Sequence, residues 1–84
     1  MSDCDDLLSK ARNNPQGVRF SDICALATCF GWVFDRASGS HHIYKKAGHR
    51  IAMNFQDVRG MAKPYQVRQL LRAIDSLENY QSKK

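Results

Sequence analysis

The sequence lacks any apolar run that approaches the ~20 residues needed by a membrane-spanning helix. It also begins with an acidic stretch, residues 1–6, where a signal peptide would have a basic end and an apolar core. A chain of 84 residues is short for more than one domain. Its 43% hydrophobic and 25% charged residues exclude global disorder. We therefore expect one small, soluble, cytoplasmic domain.

Cysteine is scarce, and its number is odd. The three residues, Cys4, Cys24 and Cys29, do not form the even set of a disulfide framework. Cys24 and Cys29 also lack the second cysteine pair that would complete a zinc site, and the three histidines have no carboxylate nearby in the sequence. The sequence therefore predicts three reduced thiols, no metal site and no other cofactor.

Acidic residues are scarce in the second half of the chain. From Arg36 to Arg72 there are eight Lys or Arg residues against one Asp, a net charge of +7, whereas the whole chain carries +5. Such clustering favours a polyanionic partner, with nucleic acid first and an acidic protein surface second. Solubility is the ordinary alternative for a basic surface.

The apolar spacing predicts the order helix, helix, three strands, helix. The predicted elements are a helix over 3–12, a helix from Ser21 as N-cap to Phe30, strands over 32–36, 41–46 and 50–55, and a last helix that Pro64 opens. Short connections between the strands imply an antiparallel meander, and residues 56–63 are predicted to be a polar loop. The expected fold is α+β, with helices covering one face of a three-stranded sheet. Two aromatic residues of the first strand, Trp32 and Phe34, are expected in the core, and Ile51, Met53 and Phe55 are expected to share one face.

The segment Ser38-Gly39-Ser40-His41-His42 is the leading candidate for chemistry. An imidazole exchanges protons near neutral pH, and this is what RNA cleavage through a 2′-hydroxyl requires when no metal takes part. Because side chains alternate along a strand, His41 and His42 are expected on opposite faces, one towards solvent and one packed. Spacing alone favours two ordinary strand residues over catalysis.

Basic residues around this segment are candidates for holding phosphate groups. Lys63 is the foremost, because it precedes the last helix, whose free N–H groups also favour phosphate. Lys45 and Arg68 are further candidates, and the Ser40 hydroxyl either donates to a phosphate or closes the turn. A solvated surface is the alternative for each of them.

Two segments resemble a known family. The run Phe30-Gly31-Trp32, followed by Arg36 and then by Gly39-Ser40-His41-His42-Ile43-Tyr44, is similar to the HicA (YcfA-like) toxins of bacterial toxin–antitoxin systems. The segment from Lys63 to Leu71 looks like the lysine-led final helix of that family. The resemblance covers about residues 19 to 78.

This resemblance implies a double-stranded-RNA-binding-domain-like α-β-β-β-α fold and a metal-independent mRNA endonuclease that blocks translation. The implied partners are mRNA and a HicB-type antitoxin protein, which would cover the active face. The family's catalytic histidine follows Gly-Ser, so the resemblance assigns that role to His41, with His42 as the less favoured candidate. A non-catalytic RNA-binding module and a protein-interaction domain are the alternatives that would use the same basic face.

The expected organisation is one domain over residues 1–84. It would comprise an N-terminal helix and loop at 1–17, a HicA-like core at 18–80 and a frayed tail at 81–84. The N-terminal helix is additional to the family core. The stretch from Asn54 to Met61 also departs from the His-Pro-rich loop that is common in the family.

Overall fold

The computed structural model describes residues 3–82, with side chains described for residues 3–77. Within that range the elements in chain order are α1 (Cys4–Asn13), a 3₁₀ turn (Pro15–Gly17), α2 (Phe20–Cys29), β1 (Val33–Ser38), β2 (His41–Lys46), β3 (His49–Val58), β4 (Met61–Ala62) and α3 (Pro64–Ser82). The strands form one antiparallel sheet in the order β1-β2-β3-β4. The α+β fold of the double-stranded-RNA-binding-domain type is therefore confirmed.

One face of the sheet is covered by the helices. Tyr44, Met53 and Phe55 point towards them and are at most 8% exposed. Opposite these strand residues, α2 and α3 contribute fully buried side chains: Ile23, Leu26, Val67, Leu70 and Ile74. The predicted 3.6-residue spacing of the last helix thus produces the stripe that packs on the sheet.

The loop predicted over residues 56–63 is a fourth strand and a turn. β3 continues to Val58, and β4 pairs back onto it, with Met61 opposite Val58. Arg59 and Gly60 join the two strands with φ angles of 53° and 85°. Positive φ at both central residues is typical of the tight turn whose twist matches an antiparallel hairpin. A two-residue strand is too short to show an alternating pattern, so the expected three-strand sheet was one strand short.

The predicted start of α2 was also wrong. Its N-cap is Arg19, which makes no side-chain capping bond, and Ser21 lies within the first turn. The Phe20 N–H donates to the Gly60 carbonyl at 2.9 Å, and Arg19 forms an isolated bridge with Met61. Docking of the helix entry onto the β3–β4 turn therefore sets the start, in place of a capping side chain.

The core prediction was right for one aromatic residue of the first strand and wrong for the other. Gly31, with φ +100°, follows the end of α2 as expected, and Trp32 is then fully buried. Phe34 is 49% exposed, because β1 is the edge strand of the sheet. Ile51 is 66% exposed, since the β2–β3 register shifts beside it and turns it away from its expected buried face.

The predicted N-terminal helix is present as α1, and a disulfide between Cys4 and Cys29 ties it to the end of α2. The expectation of reduced thiols was therefore wrong for these two residues, whereas Cys24 is free. The start of α1 lies beside the end of α2, and the two Cα atoms are 5.8 Å apart, within bonding range for a disulfide. Three apolar side chains of α1 are also buried: Leu7, Leu8 and Ala11.

At the other end of the chain, α3 continues to Ser82. The frayed tail predicted at 81–84 thus begins inside this helix, and residues 83–84 lie outside the described range. Among the described helices, none combines the length and the apolar character that crossing a membrane would require.

Candidate active site on the open face of the sheet

The second face of the sheet has no helix packed on it within residues 3–82, and it is called the open face below. Its residues follow from the strand register, because residues opposite each other on neighbouring strands share a face. They are Val33, Arg36 and Ser38 of β1, His41, Ile43 and Lys45 of β2, and Asn54 and Gln56 of β3. The open face therefore carries more polar groups than apolar ones.

His41 lies on the open face at the start of β2, directly after the Gly39-Ser40 turn. Ser38 is opposite it on β1, and Gln56 is opposite it on β3. Its ring is partly exposed, and Nδ1 lies 3.1 Å from Oδ1 of Asn54, a diagonal neighbour on the same face. His41 thus combines access to solvent with a partner that fixes its ring, as a proton-transfer group needs.

His42 points to the helix-covered face instead. Its ring makes an edge contact with Phe20 at 4.8 Å between centroids and a tilted contact with Phe34 at 5.8 Å. Phe55 is opposite it on β3 and is 1% exposed. The two histidines point to opposite faces, as expected, and both are half-buried: His42 packs in an aromatic cluster, and His41 lies on the open face.

Two hydrogen bonds hold the end of the sheet around His41. The Asp57 N–H donates to the Ser40 carbonyl at 2.9 Å, which ties β3 to the turn before His41. The Gln56 N–H donates to Oε1 of Gln66 at 2.8 Å, and Gln66 is a 4% exposed residue in the first turn of α3. The start of α3 is therefore joined to the strand residue that lies opposite His41.

Lys63 immediately precedes α3. Its carbonyl accepts from the N–H groups of Gln66 and Val67 at 3.0 and 3.1 Å, so it closes the first turn of the helix. Its Nζ lies 6.0 Å from the ring centroid of Tyr65, which is 60% exposed. Lys63 and Tyr65 thus place a cation and an aromatic face beside the helix entry.

Lys45 lies on the same strand as His41 but further along it, and Arg68 lies on α3. Lys45 is four residues along β2, about 13 Å away at the usual rise of an extended strand. Its Nζ lies 3.5 Å from Oδ2 of Asp35, the same oxygen to which Arg36 donates at 2.7 Å. Arg68 is exposed on α3. Asp35 thus neutralises part of the positive charge that Arg36 and Lys45 bring to the sheet.

Beneath the sheet, burial changes the pKa values of two groups. The Tyr44 hydroxyl donates to the Cys24 thiol; desolvation, with this bond as a second cause, raises the pKa of Tyr44 to about 12. Desolvation likewise raises the pKa of the Cys24 thiol, and the bond from Tyr44 only partly opposes this rise. Both groups therefore stay neutral near pH 7, and they belong to the packing of the helix-covered face.

Sequence reasoning missed Asn54 and Gln66 as site residues. Asn54 could be found only from the β2–β3 register, and the register shift between Tyr44 and Lys46 changes which residues lie opposite each other. Gln66 resembles an ordinary helix residue until α3 is docked on β3. In the described part of the chain, no group of three or more His, Cys, Asp or Glu side chains is arranged to hold a metal ion.

These features define a small α+β domain that presents one imidazole on an uncovered sheet face, next to a lysine-led helix. The chain belongs to the HicA family: the family model described as the HicA toxin of bacterial toxin-antitoxin systems matches residues 20–75. The match includes α2, the whole sheet and every candidate site residue, and it leaves α1 outside. No curated protein and no solved structure gives a significant match to the chain.

Proposed function

We propose that this HicA-family chain is the toxin of a type II toxin–antitoxin pair and acts as a metal-independent mRNA endonuclease that blocks translation. The observation that carries the proposal is the position of His41. Its imidazole is partly exposed on the open face and has one ring nitrogen held by Asn54. The family match over residues 20–75 supports the same role.

The chemistry is an internal transfer at phosphorus. His41 takes the proton from a ribose 2′-hydroxyl, the 2′-oxygen attacks the adjacent phosphorus, and the bond to the 5′-oxygen breaks. A proton returned by the imidazolium or by water goes to the leaving 5′-oxygen. The products are a 2′,3′-cyclic phosphate and a 5′-hydroxyl end. Positioned proton transfer of this kind contributes about 100- to 10,000-fold to a rate.

Phosphate groups of the RNA would be held around this imidazole. Lys63 would supply its ammonium group from the α3 entry, where the Gln66 and Val67 N–H groups already donate to its own carbonyl, and the Ser40 hydroxyl lies in the turn that leads into His41. Lys45 and Arg68 would contact phosphates further along the strand. The RNA would therefore cross the open face, with the scissile phosphate near the start of β2.

The proposed protein partner is a HicB-type antitoxin that covers the open face and blocks access to His41. An acidic surface would suit the segment from Arg36 to Arg72, with its eight Lys or Arg residues and one Asp. The cytoplasm, where mRNA is translated, is the proposed site of action.

The test is cleavage of a defined single-stranded RNA in the presence of a chelator. The wild-type protein should release fragments with 2′,3′-cyclic phosphate ends, and an RNA with a 2′-deoxy residue at the cut position should stay intact. His41→Ala should lower the rate at least about 100-fold while it keeps the wild-type circular dichroism spectrum.

His42→Phe is the matched control, because a phenyl ring can replace the imidazole between Phe20 and Phe34. It should cleave at close to the wild-type rate. Full activity of His41→Ala, or loss of activity only in the His42 variant, would refute the assignment to His41. RNA that is bound tightly yet remains whole would show a non-catalytic binding module.

A further inference from the structure

The contact between His41 and Asn54 determines more than the direction of the ring. Nδ1 of His41 and Oδ1 of Asn54 are 3.1 Å apart, a normal hydrogen-bond distance. An amide oxygen has only lone pairs to offer, so the contact is attractive only when Nδ1 carries a proton. In the neutral ring the other nitrogen, Nε2, is then the one with a free lone pair.

We infer that Asn54 is a positioning residue that holds neutral His41 in its Nδ1–H tautomer and leaves Nε2 as the nitrogen that exchanges protons with RNA. The catalytic part of this inference rests on the proposed function. The tautomer itself is a property of the free protein. Without such a partner, neutral histidine in water prefers the other tautomer, with the proton on Nε2, and then lacks a free base at that atom.

The backbone around Asn54 is well placed to hold the amide. Asn54 lies in the inner strand β3, opposite Ile43, and the residues before and after it, Met53 and Phe55, are 2% and 1% exposed. Both flanking side chains are thus fixed in the core on the other face. The amide is therefore presented from a rigid strand, which holds a geometry more closely than a loop does.

The residues that face His41 on the neighbouring strands are uncharged: Ser38, Asn54 and Gln56. The charged residues of β1 and β2 further along the open face are Arg36 and Lys45, and both pair with the Asp35 carboxylate of β1. A carboxylate introduced at position 54 would thus be the charge nearest to the imidazole among these groups. This makes Asn54→Asp an informative variant.

The direct test is the ¹⁵N NMR spectrum of the histidine rings in the free protein at high pH, where imidazole is neutral. The His41 signals, assigned by their loss in His41→Gln, should show a proton on Nδ1. In Asn54→Ala they should move towards the Nε2–H pattern, while the His42 and His49 signals stay in place. A proton on Nε2 in the wild-type protein, or no change in Asn54→Ala, would overturn the inference.

The second test measures the kinetics of cleavage of the same single-stranded RNA. Asn54→Ala should lower kcat about tenfold with little change in KM, the effect of losing one neutral hydrogen bond of ordinary strength. Asn54→Asp should recover much of the rate, because a carboxylate also accepts from Nδ1–H. Its pH–rate profile should shift to higher pH, because a neighbouring negative charge raises the pKa of an imidazole.

A merely structural Asn54 would leave the pH profile of Asn54→Asp where it is in the wild type, and this would contradict the inference. The two proposals fail separately. Absence of RNA cleavage with an Nδ1–H signal that depends on Asn54 refutes only the proposed function. Cleavage that depends on His41 with a tautomer independent of Asn54 refutes only the positioning role.

Discussion

His41 and His42 are neighbours in the sequence, yet they lie in different environments. His41 is on the open face, where its ring is partly exposed and bonded to Asn54. His42 is on the helix-covered face, with its ring between Phe20 and Phe34. The pleat of one strand thus separates a side chain suited to proton transfer from one of the same type that packs.

The same division holds for the whole sheet. The helix-covered face contains the apolar core and two neutral groups whose pKa values are raised, Tyr44 and Cys24. The open face carries polar side chains and the ion pairs around Asp35. Variants of the first face should therefore change stability, and variants of the second should change RNA binding or cleavage.

The largest effect is expected on the free energy of unfolding, as a difference between two apolar residues on opposite faces of the sheet. Phe55→Ala should lower the free energy of unfolding by about 3–5 kcal/mol, because it leaves a cavity under α2 and α3. Ile43→Ala on the open face should cost less than about 1 kcal/mol. Urea denaturation measures both, and Phe55→Leu serves if the alanine variant does not fold. Equal losses for Phe55 and Ile43 would contradict the assignment of the two faces.

Reduction of the Cys4–Cys29 disulfide should have the next largest effect on stability. The bond closes a sequence separation of 25 residues, for which loop-closure entropy predicts about 3–4 kcal/mol as an upper value. A reductant should lower the unfolding free energy of the wild type and leave that of Cys4→Ser unchanged. The rate of RNA cleavage by folded protein should stay the same, because α1 lies outside the site.

The cytoplasm keeps most thiols reduced. In that compartment Cys4 and Cys29 would therefore be free thiols, and the stability of the reduced chain is the relevant one. In it α1 would be held by Leu7, Leu8 and Ala11 and by the ion pair of Arg12 with Asp75. If reduction abolished cleavage at temperatures where the protein remains folded, α1 would belong to the functional unit.

Lys45 on the open face and Lys63 at the α3 entry should contribute differently to RNA affinity. The measurements use a His41→Ala background, which should prevent cleavage. There Lys63→Ala is expected to weaken RNA binding about tenfold and to reduce by about one the slope of the logarithm of the binding constant against the logarithm of the salt concentration. Lys45→Ala should change affinity less than about threefold, since Asp35 already pairs with it. Fluorescence anisotropy over a range of salt concentrations measures both. A larger effect at Lys45 would move the RNA path towards the other end of β2.

The smallest expected effect is a loss of stability at alkaline pH. The pKa of Tyr44 is about 12 in the folded protein and about 10 in an unfolded chain. Between these values the unfolded state loses the proton first, so the stability contributed by neutral Tyr44 is present below pH 10 and falls as the pH rises to 12. Wild-type protein should lose more stability over this window than Tyr44→Phe does, and identical losses would show that Tyr44 is not desolvated.

The order of helices and strands could be predicted from the sequence, because each long element shows its own period. The stripe that includes Val67, Leu70 and Ile74 identifies α3, and the alternation of His42 with Tyr44 and of Met53 with Phe55 identifies the buried side of the sheet. β4 could not be found in this way, because two residues have no period. Its turn was visible only as Arg59-Gly60, which sequence reasoning assigned to a loop.

Contacts between distant segments were beyond the sequence. The start of α2 depends on the bond from Phe20 to Gly60, and the disulfide depends on the ends of α1 and α2 meeting. The division of His41 and His42 between opposite faces was predictable from strand alternation, and the choice of His41 came from the family resemblance. Its partner Asn54 was not predictable, because Asn54 reaches His41 only through the pairing of β2 with β3, which the sequence does not show.

The division between the two histidines is tested most directly by measuring single-turnover RNA cleavage and urea unfolding in parallel for His41→Ala and His42→Ala. We predict that His41→Ala loses at least about 100-fold in cleavage rate and less than about 1 kcal/mol of stability. His42→Ala should lose about 1–3 kcal/mol and keep the cleavage rate of its folded fraction within about threefold. The reverse pattern, with chemistry lost at His42 and stability lost at His41, would contradict the account.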